Sequence, residues 1–156
     1  MQQQILTVLL VALGSLGFAV LFNIKGWKLV YIAAGGAISY SCYLCVCALL
    51  ESQILALLIA TAVTALIAEI LARVLKAPAV ILFVPMLIPL VPGGDLYDTM
   101  NYLVRGIEED FAASSLLVLK KAAAIAFGII LITSLTEILR KVQGYWYQHR
   151  KTKQER

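Results

Sequence analysis

The chain has 156 residues, 62% of them apolar, with a net charge of +4 and a mean hydropathy of +0.90. A soluble domain of this size is about 45–50% apolar, so the composition argues against a water-soluble enzyme and for a single membrane-embedded bundle. The only histidine, His149, lies in a basic tail, and the three cysteines, Cys42, Cys45 and Cys47, share one apolar block without forming a disulfide framework.

The first apolar block, residues 5–22, is just long enough to span a bilayer at ~1.5 Å per residue. No Lys or Arg precedes it and no small-residue cleavage site follows it, so it is expected to be a retained helix rather than a signal peptide. A polar turn over residues 23–28 leads to a second span, residues 29–50. Glu51 and Ser52 turn the chain into a third span, residues 53–75, which closes on Arg73, Lys76 and Pro78. Residues 79–91 form a short apolar helix carrying Pro85 and Pro89. Pro92 and the Gly93-Gly94 pair follow it directly. Residues 93–110 are a polar connector. Leu96, Met100 and Leu103 recur there at helical spacing, which predicts a short helix. The last helix is expected over residues 111–141, most apolar at 122–139, before a basic tail over 142–156. The expected fold is an all-α integral membrane protein. It is a bundle of about five transmembrane helices over residues 1–141, one of them proline-broken, plus a short polar connector helix.

Charge placement orients the bundle. With the tail in the cytoplasm and five spans counted back from it, ten of the thirteen basic residues fall inside. The acidic residues Glu51, Asp95, Asp98, Glu108, Glu109 and Asp110 fall outside, and so does the N-terminus. Lys120 and Lys121, early in the last helix, are expected to snorkel outward. A four-span alternative makes the proline helix re-entrant and moves the N-terminus inside. Trp27 and the Tyr145-Trp146-Tyr147 run are expected interfacial anchors.

The proline segment is the first candidate for function. Proline lacks an N–H and its ring crowds the carbonyl four residues back. Pro85, Pro89 and Pro92 are therefore expected to free or weaken the carbonyls of Ile81, Pro85 and Ile88. Such oxygens hold cations or ammonium groups, while a helix starting after Gly93 and Gly94 offers N–H groups to a carboxylate. A packed, merely kinked helix is the competing reading. Asp95 and Asp98 share a helix face and are weaker candidates, since a helix cap and a dipole complement explain them as well. Glu69 is an intramembrane carboxylate, and a plain ion pair with Arg73 at i+4 is its alternative. Glu137, beside Arg140 and Lys141, reads as interfacial. Small residues at Gly14, Gly17 and between 33 and 41 read as helix packing within or between subunits. No cofactor, metal or nucleic-acid site is expected: the cysteines lack nearby His or Met, and no phosphate-binding loop is present. The two aspartates lie one turn apart on one helix, unlike a protease pair facing each other from separate helices, and no nucleophile–base pair appears.

Four segments together carry a family resemblance: GFAVLFN at 17–23, AEILARVLKAP at 68–78, IPLVPGG at 88–94 and LYDTM at 96–100. On them the chain resembles the small subunit of the threonine/serine exporter family, equivalent to the C-terminal half of the fused exporters. The resemblance implies ion-gradient-driven export of a small amino or organic acid across the bacterial inner membrane. It also implies a larger membrane subunit as partner, with a homo-oligomer left open. Asn23, Glu69, Arg73, Pro85, Pro89, Pro92, Gly93, Gly94, Tyr97 and Thr99 fall on the motif positions, whereas Asp95 and Asp98 fall between them. A scaffold subunit that stabilises its partner and never touches substrate is the rival expectation.

Overall fold

The computed structural model describes the backbone of residues 2–154 and the side chains of residues 2–142. Six α-helices follow in order: α1 (Gln2–Leu21), α2 (Lys28–Leu50), α3 (Gln53–Leu75), α4 (Ala79–Leu87), α5 (Gly93–Arg105) and α6 (Glu108–Gln154), with a 3-10 turn at Ile88–Leu90 after α4. In lipid every backbone polar group must be met within the chain, and long apolar helices do this locally. Helices α1, α2, α3 and the Glu108–Val142 part of α6 are long and apolar enough to cross a membrane. The bent pair Ala79–Leu90 and Gly93–Arg105 supplies a fifth span if counted as one. The chain is thus an all-α, multi-pass membrane protein.

Helices α1, α2, α3 and α5 end at residues with left-handed backbone, Asn23, Glu51, Lys76 and Gly106. Asn23 (φ 56°) ends α1: its N–H donates to the Val20 carbonyl at 2.9 Å and the Ile24 N–H reaches back to Ala19 at 3.0 Å. This is a Schellman closure, sealed by the buried Ala19 and Ile24. Asn23 is exposed, so the structure gives this motif residue a turn-forming role. Asn23→Gly is expected to stay within about 0.5 kcal/mol of wild-type stability in detergent unfolding. Asn23→Val, branched at positive φ, is expected to lose about 1–2 kcal/mol. Normal export by the glycine variant would assign Asn23 to the turn and remove it from the solute path.

Helix α3 is central, packing against α2, α4 and α6, while α1 packs on α2 and α4 and α5 lies along α6. Small residues set the approaches, one of them in the 33–41 run expected to pack and one, Gly128, at a position the sequence did not single out. At Gly128 on α6 a Cβ would lie 2.6 Å from the Leu58 carbonyl oxygen of α3 and collide with the Thr61 hydroxyl. At Gly36 on α2 a Cβ would collide with the Ser15 side chain on α1. Among the described residues nothing lies within 4 Å of a Cβ added at Gly14 or Gly17.

The last helix differs from expectation at both ends. It starts at Glu108 and continues to Gln154, because no proline follows Pro92 and Gly144 alone does not stop a helix. The expected anchors Tyr145, Trp146 and Tyr147 lie outside the residues whose side chains are described, as do the tail cations. Trp27 is 80% exposed, as an interfacial anchor requires.

Candidate functional site

The break between α4 and α5 is an ordered turn. Pro85 lies inside α4 and is buried. After the 3-10 turn, Val91 is extended and Pro92 adopts φ −75°, ψ 64°. The Gly93 N–H then donates to the Val91 carbonyl at 2.7 Å, closing an inverse γ-turn around Pro92. The helix axes on either side differ by 56°. One expectation fails here. The Ile88 carbonyl, expected to be freed by Pro92, accepts the Val91 N–H at 3.1 Å, since the 3-10 turn supplies a donor three residues on. Pro92 gives α5 no side-chain cap. The helix ladder begins with Leu96 donating to Pro92 at 3.1 Å.

The sequence reading of Asp95 and Lys121 also needs correction. Asp95 does not cap α5. Its carboxylate meets the Lys121 ammonium at 2.6 Å. Lys121 does not snorkel outward either: its side chain is 7% exposed, against 30% for Asp95. The physical cause is the fold-back of α5 onto α6, which gives the lysine a partner inside the bundle. One helical turn further along α5, the Thr99 hydroxyl donates to the Asp95 carbonyl at 2.7 Å and lies 2.6 Å from the Ser114 hydroxyl on α6. Asp95 and Thr99 thus share the face of α5 turned to α6. Tyr97, two residues from each, is 72% exposed on the other side, and Asp98 and Gly94 are exposed as well.

A cavity of about 160 Å³ adjoins the ion pair. Tyr40 and Tyr43 of α2, Leu57 of α3, residues 89–92 of the break, Asp95 and Lys121 line it. The break, the aspartate and the buried lysine therefore share one chamber near the Glu51–Ser52 end of the bundle. Neither Lys121 nor the two tyrosines were candidates from the sequence. The available signal for Lys121 was a cation beside an otherwise apolar span. For the tyrosines there was none.

Glu69 and Arg73 lie elsewhere. From Leu57 to Glu69 is twelve residues of α3, about 18 Å. Glu69, Arg73, Arg140 and residues 77–79 line a second cavity of about 470 Å³ at the Lys76 end. Glu69 also borders an apolar cavity of about 310 Å³ with Phe83, Val84, Ile129 and Thr133. The alternative of a Glu69–Arg73 ion pair is not realised: among the described residues the ion pair within 4.0 Å is Asp95–Lys121. Cys42, Cys45 and Cys47 are free. Among the described residues no group of three or more metal-ligating side chains occurs.

The arrangement offers a solute two opposite charges and two phenol rings beside a helix break, with a separate carboxylate–arginine chamber at the other end of α3. A family model described as "Threonine/Serine exporter, ThrE" matches residues 7–135. No curated protein and no solved structure matches.

Proposed function

The chain belongs to the threonine/serine exporter family, and from that premise we propose that it is the small subunit of a two-part secondary exporter. The family is one of membrane transporters, and the chain is multi-pass. The proposed setting is the bacterial inner membrane, with the basic Lys25/Lys28 and Arg73/Lys76 turns and the tail over 142–156 in the cytoplasm and the N-terminus outside. A larger membrane subunit supplies the rest of the path, and an ion gradient drives export of threonine, serine or a similar small acid. No cofactor enters this reading.

The observation that carries it is the chamber at the α4–α5 break. A charged pair with its lysine buried in an apolar bundle is costly to desolvate. Such groups mark solute or ion paths more often than they stabilise. Pro89 and Pro92 shape the chamber, and Gly93 and Gly94 leave the start of α5 open to a carboxylate. Glu69, between the two inner cavities, is the proposed coupling carboxylate, with Arg73 beside it at the cytoplasmic mouth.

The test is export of labelled threonine, serine and succinate from cells making this chain alone, the chain with a larger subunit of the family, or that subunit alone. Export only with both is expected, and it identifies the substrate class. Full export by the larger subunit alone would make this chain a scaffold.

A further inference from the structure

We propose that Asp95 and Lys121 form a substrate-reading pair, opened by a small zwitterion that gives each partner a new counter-charge. The inference rests on the exporter reading and assigns roles to two residues at its site. In the closed arrangement the lysine ammonium and the aspartate carboxylate neutralise each other at 2.6 Å. Lys121 is almost wholly buried, and the residues one turn either side of it on α6, Leu117, Val118, Ala124 and Ile125, offer no polar side chain to take over. The pair therefore separates only when both charges are met together. A molecule carrying an ammonium and a carboxylate on one carbon does this: its carboxylate goes to Lys121 Nζ and its ammonium to Asp95.

The surroundings fit that exchange. Asp95 is the more exposed partner and sits in the first turn of α5, so the incoming ammonium meets it first. The uncapped helix start beside it adds N–H groups that favour the substrate carboxylate. Tyr40 and Tyr43 of α2 also line the chamber, with ring centroids 5.7 Å apart. The chamber of about 160 Å³ leaves room beside the pair for a small zwitterion. A dicarboxylate would place its second carboxylate against Asp95, and a molecule with one charged group would strand the other partner.

The test uses everted membrane vesicles holding the chain with its larger subunit and accumulating labelled serine. Serine is expected to compete about tenfold or more better than 3-hydroxypropionate, which lacks the ammonium, than ethanolamine, which lacks the carboxylate, and than succinate. Competition by any of the three within about threefold of serine would overturn the proposal. Asp95→Asn, equal in size, is expected to shrink the preference for serine over 3-hydroxypropionate by about tenfold, with Asp95→Glu restoring it. An equal loss for both compounds, leaving their ratio unchanged, would make the pair structural and overturn the assignment. If Asp95→Asn fails to accumulate, the wild-type competition decides alone. Accumulation of no small acid by the wild-type vesicles would instead overturn the exporter reading, and the pair's role with it.

Discussion

Replacing Pro89 and Pro92 together by alanine is expected to abolish export while the chain still reaches the membrane. Each alanine restores an N–H donor, at 89 toward the Pro85 carbonyl and at 92 toward the Ile88 carbonyl. Each proline disfavours a helix interior by about 3 kcal/mol relative to alanine, so the double variant strongly favours one continuous helix from α4 into α5. The inverse γ-turn at Pro92 and the Val91-to-Ile88 bond are then lost, and the 56° bend straightens. Asp95 is carried away from Lys121, and the chamber between them no longer closes. Export of labelled serine, measured beside the amount of chain in the membrane fraction, checks this. Normal export at normal abundance would remove the break from the transport path.

The second large effect is expected at Gly128. A side chain there meets the backbone of α3 at Leu58 as well as the Thr61 hydroxyl, and a backbone carbonyl cannot swing aside as the end of a flexible chain can. Gly128→Val forces α3 and α6 apart where the two helices cross, and overpacking of this kind costs about 1–3 kcal/mol. The shift is transmitted along α6 to Lys121, seven residues earlier, so both folding and transport are expected to fall. Gly14→Val, at an open position on α1, is the control. It is expected to leave unfolding of the isolated chain in detergent unchanged. A stable, active Gly128→Val chain would contradict the tight crossing.

Much of the fold is written in the periodicity and punctuation of the sequence. Apolar blocks of spanning length place α1, α2 and α3, and the turns fall at Asn23, Glu51 and Lys76, all with positive φ. The proline-rich segment announces the broken helix. What a one-dimensional reading cannot supply is the direction in which the chain continues after a 56° bend. Asp95 and Lys121 are twenty-six positions apart, and only the return of α6 along α5 brings them together. Viewed on its own helix, Lys121 has no partner, and an unpartnered lysine in an apolar span is naturally assigned to the lipid headgroups. The Ile88 carbonyl misled for a related reason: the rule for proline in an α-helix gave way where the backbone tightened into a 3-10 turn. Glu69 and Arg73 have the i+4 spacing, yet among the described residues they form no ion pair within 4.0 Å and both border the second cavity.

The most direct measurement of whether the break lines the solute path is substrate protection of a cysteine placed there. With Cys42, Cys45 and Cys47 replaced by serine, Gly94→Cys puts a thiol at an open position at the start of α5, and Gly14→Cys puts one on the outer face of α1. In vesicles that hold the chain with its larger subunit and export labelled serine, unlabelled serine is expected to slow reaction of the thiol at position 94 with a small polar reagent several-fold and to leave the thiol at position 14 unaffected. Equal rates at position 94 with and without serine, in vesicles that still export, would contradict a path through the helix break.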